Sequence, residues 1–105
     1  MEKLKNTQGI SLIIMRPVAY TKCQIGQDWY KNELDISFLP GDVYPDYMEV
    51  NDWIRENIDG KELNIEDVVE QVYSFMQKEY APKELTITDE IKGCKTHFDV
   101  TVIKQ

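Results

Sequence analysis

The sequence predicts an α+β fold in which two helices cover one face of an antiparallel sheet. Segments of alternating apolar and polar residues occur near both ends of the chain, a pattern typical of strands. Between them, two longer segments repeat their apolar residues at helical spacing. The resulting order is β-β-α-α-β-β. Because the strands are grouped as hairpins on either side of a helical pair, this order favours an antiparallel sheet.

The first two strands are predicted to form a hairpin. Ile10 to Met15 are dense in branched apolar side chains and stop before Pro17, and Val18 to Lys22 continue the strand beyond this proline. Gly26 to Asp28 supply residues that favour a turn. From Leu34 to Pro40, apolar and polar residues alternate with the period of a half-buried strand.

The middle of the chain contains two predicted amphipathic helices. Pro45-Asp46 can start the first helix, and Gly60 ends it. Asn64 is the predicted N-cap of the second helix, with Asp67 as its capping-box partner and Pro82 beyond its end. The apolar stripes consist of Tyr47, Val50, Ile54 and Ile58 in the first helix, and of Ile65, Val68, Val69, Val72, Tyr73, Met76 and Tyr80 in the second.

A second hairpin is predicted at the end of the chain. Leu85 to Thr88 and Phe98 to Val102 alternate apolar with polar residues, and Lys92-Gly93 offers a turn between them. We expect residues 1–105 to form a single domain, with a flexible polar segment at residues 1–8. A sheet covered on only one face leaves its other face and its edges in need of protection, so we also expect a homo-oligomer.

Composition excludes several classes of function. The 105 residues are 42% hydrophobic, and their net charge of -7 disfavours direct binding to nucleic acid, whose phosphates the protein would repel. The longest apolar run, Leu12 to Met15, is too short to cross a membrane, and Met1 to Lys5 lack the apolar core of a signal peptide. We therefore expect a cytoplasmic protein with free thiols. Cys23, Cys94 and His97 are too few for a zinc site, so no metal is expected.

Several residues match the pattern of a known family. The matching features are the spacings from Pro17 to Cys23 and from Cys23 to Pro40, the turn Gln27-Asp28-Trp29, the strand end Ile36 to Pro40, and Glu66 at the start of the second helix. In these features the chain resembles the 7-cyano-7-deazaguanine reductases and their short archaeal amidine-forming relatives. That resemblance implies the tunnelling fold, in which β-β-α-α-β-β units join through their sheets into barrels and bind purine- or pterin-like rings at subunit interfaces.

The resemblance also implies a mechanism. Cys23 would attack the nitrile carbon of 7-cyano-7-deazaguanine to form a covalent thioimide, and Asp28 would deliver a proton to the nitrile nitrogen. A second nucleophile, either hydride from NADPH or ammonia, would then complete a reduction or form an amidine. Glu66 would bind the pair of N–H groups on the guanine-like edge of the ring, in a helix turn that favours negative charge.

The chain departs from the family pattern at several positions. Gln24 follows the cysteine where the family has a proline, the turn lacks its proline, and Asp28 lies two residues closer to the cysteine than the family's acid does. The lysine-rich segment that binds nicotinamide in the reductases would fall near Asp46 to Asp52, which contain no lysine. The resemblance allows NADPH as a cofactor, but this sequence has no evident motif that would bind it.

Simpler interpretations exist for each candidate residue. A lone cysteine is commonly an inert small hydrophobe, and an acid such as Glu66 in a first helical turn stabilises the helix dipole. Asp28 is also a common turn residue. His97 is expected at a strand edge and Cys94 in a loop.

Two alternative functions follow from the same sequence. The segments Gly26-Gln27, Asp46 to Val50 and Leu63 to Glu66 are similar to motifs of the dihydroneopterin aldolases, which also have the tunnelling fold. Aldolase chemistry requires a Lys-Pro pair at the end of the third strand, where this chain has Asp89 to Ile91. The other alternative is a non-catalytic tunnelling-fold protein that binds a pterin or deazapurine, or that only oligomerises.

Overall fold

The computed structural model describes residues 11–23, 28–93 and 99–105. Its elements are β1 (Ile13–Met15), β2 (Val18–Lys22), β3 (Trp29–Leu39), α1 (Tyr47–Asn57), α2 (Ile65–Tyr80), β4 (Glu84–Gly93) and β5 (Asp99–Lys104). This order confirms the predicted α+β arrangement. The flexible segment predicted at residues 1–8, the Gly26-Gln27 part of the turn, Cys94 and His97 lie outside the described residues.

The first strand is interrupted at Arg16-Pro17 without losing its register. β1 and β2 both pair antiparallel with β3, at Ile13↔Phe38 and Val18↔Glu33, and the same register holds on both sides of the proline. The Leu34 N–H still donates to the Pro17 carbonyl at 3.0 Å. Because proline has no N–H to donate to a second neighbour, it is tolerated here at the edge of the sheet. The predicted continuation of the strand beyond Pro17 is confirmed.

The other strands complete an antiparallel sheet in the order β3-β4-β5, with β1 and β2 along the outer side of β3. β3 begins earlier and β4 ends later than the sequence pattern indicates. The alternation of buried residues extends back to Asn32 in β3 and forward through Asp89 to Ile91 in β4. Asn32 and Asp89 are 1% and 0% exposed. Because these two core-facing positions carry polar residues, the alternation of apolar side chains in the sequence predicts strands that are too short.

Both helices begin where the sequence predicts. The Oδ1 atom of Asp46 accepts a hydrogen bond from the Met48 N–H at 2.9 Å and caps α1. Asn64 occupies the N-cap of α2, but its side chain makes no capping bond, so the predicted capping box with Asp67 is absent. The Asp67 N–H instead donates to the Asn64 carbonyl at 3.0 Å. Within the described residues, no helix is long and apolar enough to span a membrane.

The hydrophobic core lies between the helices and one face of the sheet. α2 packs across β4 and β5. The fully buried side chains include Leu34, Ile36 and Phe38 of β3, Val50 and Ile54 of α1, Val68, Val72 and Met76 of α2, and Ile87 of β4. The predicted stripes therefore face the sheet except at Tyr47. The sequence pattern places Tyr47 in the α1 stripe, but it is the first residue of the helix and is 51% exposed.

One carboxylic acid is buried in this core. Asp89 lies on the helix-facing side of β4, opposite Leu34 of β3 and Val102 of β5. Neither of its carboxylate oxygens has a hydrogen-bond partner among the described residues. Burial raises the pKa of Asp89 to about 7, because the charged form loses its hydration. Below neutral pH this side chain is therefore mostly protonated.

Replacing Asp89 with asparagine should remove one source of pH-dependent stability. The unfolded chain releases this proton at about pH 4, whereas the folded protein retains it until about pH 7. The contribution of Asp89 to the free energy of unfolding therefore decreases as the pH rises through this window, by about 3 kcal/mol between pH 5 and pH 8.

Urea denaturation at both pH values measures this effect. The stability of the wild type relative to Asp89→Asn should fall by this amount from pH 5 to pH 8. Asp99→Asn, at an exposed position of β5, is the matched control. If the stability difference between wild type and Asp89→Asn does not change with pH, the pKa of Asp89 is not raised in the folded protein.

Candidate active site

Cys23 and Asp28 lie opposite each other where β2 ends and β3 begins, at the turn end of this hairpin. Cys23 directly follows β2, and Asp28 directly precedes β3. The Cys23 N–H donates to the Asp28 carbonyl at 2.9 Å, so the backbone holds the two residues together. Both residues are half-buried, and Cys23 is a free thiol. The hairpin therefore brings the two predicted catalytic residues to one end of the sheet.

The linker between α1 and α2 is hydrogen-bonded to the same end of β2. The Lys22 N–H donates to the Lys61 carbonyl at 2.9 Å, and the Leu63 N–H donates to the Lys22 carbonyl at 3.1 Å. These bonds form a short parallel bridge between Lys22 and Glu62. One step earlier, the Gly60 N–H donates to the Tyr20 carbonyl at 2.7 Å. Cys23 follows Lys22 directly, so this bridge joins the cysteine to the segment that leads into α2.

Glu66 lies in the first turn of α2, directly after this linker. Its side chain is exposed, and it makes no hydrogen bond or ion pair with the described residues. In the described part of the chain, no hydrogen bond or ion pair therefore joins the Glu66 carboxylate to Cys23 or Asp28. The structure therefore brings the Cys23–Asp28 turn and the linker that precedes Glu66 to one corner of the sheet, while the Glu66 side chain is exposed.

Tyr30 is a further residue of this corner that the sequence pattern did not indicate. Its pKa is raised, first by burial, then by the hydrogen bond between its hydroxyl and the Cys23 side chain, and then by the charges of Cys23 and Asp28. The hydroxyl thus remains protonated beside the sulfur. Tyr30 has the same strand parity as Leu34, so it faces the helices. Extending the alternation of β3 towards its start would have indicated this position.

A buried polar pair supports the same end of the hairpin. Asn32 is 1% exposed and donates from its Nδ2 atom to the Thr21 hydroxyl at 2.9 Å and to the Ala19 carbonyl at 3.1 Å. Thr21 lies opposite Tyr30 in the β2–β3 register. Because buried polar groups are costly when unpaired, this network favours one arrangement of β2 on β3 next to Tyr30.

The described residues offer no preformed site for a metal. No group of three or more His, Cys, Asp or Glu side chains lies close enough to hold an ion in the part of the chain that the structure describes. The segment Asp46 to Asp52, where the resemblance would place a nicotinamide-binding motif, forms the N-cap and the first turns of α1.

The sequence matches no protein-family model and no curated protein. The fold, in contrast, has a clear structural relative. A crystal structure of the archaeosine synthase QueF-Like in the apo form superposes with a TM-score of 0.77 at 14% sequence identity, covering 90% of this chain and 91% of the other. This chain has the tunnelling fold. The predicted fold of the single chain is thereby confirmed.

The tunnelling fold explains why the corner is built from distant segments. Its β-β-α-α-β-β order returns the chain to the end of the first hairpin only at the linker between the helices. In the sequence, Cys23, Asp28 and Glu66 stand out through a family resemblance. The backbone bridge between Lys22 and Glu62 has no counterpart in the sequence pattern.

Replacing Tyr30 with phenylalanine should make Cys23 less reactive. The hydroxyl hydrogen bond stabilises sulfur most when the sulfur is ionised, and a bond to a charged group is worth about 1.5–3 kcal/mol. We expect iodoacetamide to alkylate Cys23 about 10-fold more slowly at pH 7.5 in Tyr30→Phe, measured by intact-mass spectrometry in a Cys94→Ser background.

Tyr20→Phe is the matched control for this measurement. Tyr20 lies in β2 and is 44% exposed, on the sheet face away from the helices. Its replacement should leave the alkylation rate unchanged. An equal effect of both substitutions would show that Tyr30 has no specific influence on the thiol.

Proposed function

We propose that this chain is a 7-deazaguanine-pathway enzyme that acts on the nitrile of 7-cyano-7-deazaguanine through Cys23. The observation that carries this proposal is the backbone bridge from Lys22 to the linker before α2, which joins the Cys23 turn to the Glu66 turn. The tunnelling fold shared with an archaeosine synthase, and the spacing of Pro17, Cys23, Pro40 and Glu66, support the same substrate class.

The chemistry proceeds in two steps. The ionised sulfur of Cys23 adds to the nitrile carbon, so that a carbon–sulfur bond forms, one π bond of the C≡N triple bond is lost and the nitrogen takes a proton. Asp28, at the other end of the same turn, is the proposed proton donor. In the second step a nucleophile attacks the thioimide carbon. Addition of ammonia and loss of the thiolate yields an amidine, whereas addition of hydride begins a reduction to an amine.

Glu66 is the proposed substrate anchor. Two carboxylate oxygens match two neighbouring N–H groups on the guanine-like edge of the ring, and charged acceptors form strong hydrogen bonds. The first turn of a helix favours an ionised carboxylate through the helix dipole. The exposed Glu66 side chain has no competing cation among the described residues.

We favour ammonia over hydride as the second nucleophile. The segment Asp46 to Asp52 carries no lysine or arginine and three acids in addition to exposed Tyr47 and Met48. An acidic helix start would repel the phosphates of NADPH. This chemistry also needs no redox cofactor.

Intact-mass spectrometry with 7-cyano-7-deazaguanine tests the proposal. The wild-type protein should gain the mass of the nitrile, because the thioimide retains every substrate atom. Cys23→Ala should gain none, while Cys94→Ala should still form the adduct. Adding ammonium or NADPH to the isolated adduct then identifies the second nucleophile by the released product. If the wild type forms no adduct at Cys23, the nitrile chemistry is wrong.

The same assay separates anchoring from catalysis. Glu66→Gln should raise the nitrile concentration needed for half-maximal adduct about 10-fold or more, because a charged hydrogen-bond acceptor is lost. Glu62→Gln, an exposed neighbour on the linker, should leave that concentration unchanged. Binding of a pterin without any adduct would instead favour the aldolase-like or non-catalytic alternative.

We further propose that the active form is a homo-oligomer joined through the sheet. The face away from the helices is polar at its centre, where Lys31 and then Lys92 lower the pKa of Glu33 by hydrogen bonding. Along the β1–β2 edge it exposes the apolar side chains of Ile14, Val18 and Tyr20, which are 46%, 49% and 44% exposed. Unpaired strand edges with exposed apolar residues favour association with another sheet.

Charge at this edge should weaken the oligomer. Ile14→Asp combined with Val18→Asp would bury two carboxylates in a sheet-to-sheet interface, at a cost of several kcal/mol. Sedimentation velocity should then show a smaller species than for the wild type. Val43→Asp, at an exposed position in the loop before α1, is the control. A monomeric wild type at working concentration would contradict the proposed oligomer.

A further inference from the structure

The outer surface of the helical layer carries an open groove that the proposed chemistry does not use. The groove has a volume of about 590 Å³ and is lined by Trp53 of α1 and by residues of α2 between Glu70 and Glu79. A second hollow of about 320 Å³ adjoins it and shares Trp53, Phe75 and Glu79 with it. The two hollows therefore form one surface, here called the helical groove.

Two stacked aromatic rings form the floor of the helical groove. The ring centroids of Trp53 and Phe75 lie 4.3 Å apart with an interplanar angle of 14°. Tyr80 meets Phe75 edge-on at 5.9 Å. Trp53 and Phe75 are half-buried, so part of each ring contacts solvent. Because the rings brace one another, a partner would not have to immobilise them, and this lowers the entropic cost of binding.

Carboxylates surround the aromatic floor. The groove-lining acids are Glu49, Asp52 and Glu56 of α1 and Glu70 and Glu79 of α2, and the lining includes one cation, Lys78, among the described residues. Asp52 is paired with Arg55, and Glu70 is paired with Lys104 at 3.2 Å.

The remaining acids carry the surplus charge. Glu49 accepts a hydrogen bond from the Tyr80 hydroxyl, a bond that does not neutralise its charge. In the described part of the chain, neither Glu56 nor Glu79 has an ion-pair partner. The rim therefore remains negative around an aromatic floor.

We propose that the helical groove binds a basic segment of another protein. An arginine guanidinium is flat and weakly hydrated, and it stacks on aromatic faces while it donates hydrogen bonds to carboxylates. The Trp53–Phe75 floor together with Glu56 and Glu79 matches both requirements. Potentials of opposite sign also accelerate the encounter of such a segment with the groove.

The charge of the helical groove disfavours other occupants. Nucleic acid and anionic membranes would be repelled by the carboxylates. A second copy of this chain, docked through a two-fold axis at the groove, would place the same acidic patch against itself. A partner with clustered arginine or lysine side chains is the occupant that this charge complements.

A random peptide library tests the proposal without assuming a partner sequence. Twelve-residue peptides displayed on phage should be enriched on the immobilised protein for sequences that contain arginine next to apolar residues. One enriched peptide is then synthesised and titrated into a Trp29→Phe variant, in which Trp53 is the remaining tryptophan. We expect a saturable change in Trp53 fluorescence.

Charge-reversal variants show whether binding occurs in the helical groove. Glu56→Lys combined with Glu79→Lys should weaken peptide binding at least 10-fold, because both positions are exposed on the rim. Glu90→Lys combined with Asp99→Lys changes the net charge equally on the sheet and should weaken binding less than 3-fold. Circular dichroism confirms that both variants are folded.

Several outcomes would overturn the proposal. These are the absence of enrichment, enrichment of peptides without basic residues, equal weakening in both double variants, and saturation without a change in Trp53 fluorescence. Self-association that Glu56→Lys and Glu79→Lys alter in sedimentation velocity would identify a second copy as the occupant and would also contradict a basic partner.

Discussion

The geometry of the candidate site depends on a few backbone hydrogen bonds at Lys22. Both the N–H and the carbonyl of this residue are used by the linker between the helices, at Lys61 and Leu63. Together with the bond from the Gly60 N–H to the Tyr20 carbonyl, they tie the linker before α2 to the first hairpin, whereas α2 itself packs on β4 and β5. Because of these bonds, the turn after Cys23 and the first turn of α2, which contains Glu66, both start near the bridge between Lys22 and Glu62. Backbone pairing is directional, so it positions segments more sharply than hydrophobic contact does.

A second constraint concerns the strand that delivers Cys23. Pro17 interrupts this strand but preserves its register on β3, and the buried Asn32–Thr21 pair fixes the part that follows. A shift by one residue would turn Cys23 and Thr21 away from the helices and would expose Ala19. The interaction between Cys23 and Tyr30 is thus a consequence of strand register.

The two surfaces of the molecule differ in chemistry. The sheet face combines paired charges at its centre with apolar side chains at its edge, whereas the helical groove combines an aromatic floor with surplus carboxylates. Association through the sheet and binding at the helical groove would therefore not compete. The buried Asp89 lies on the helix-facing side of β4, where loss of hydration makes its ionisation unfavourable to the folded state.

The sequence by itself determined the elements and their order. Apolar residues at helical spacing located α1 and α2, and alternation located the centres of β3 and β4, because these periods reflect which side of each element faces the core. The candidate residues Cys23, Asp28 and Glu66 came from spacing that resembles a known family, and their roles remain proposals.

Only the tertiary structure decided how the site is assembled. Tyr30, Asn32 and Asp89 are core-facing polar residues that break the apolar pattern on which the prediction of strands relies. The bridge between Lys22 and Glu62 joins segments far apart in the chain through main-chain atoms. Every residue other than proline carries the same N–H and carbonyl, so such a contact leaves no signature in the sequence.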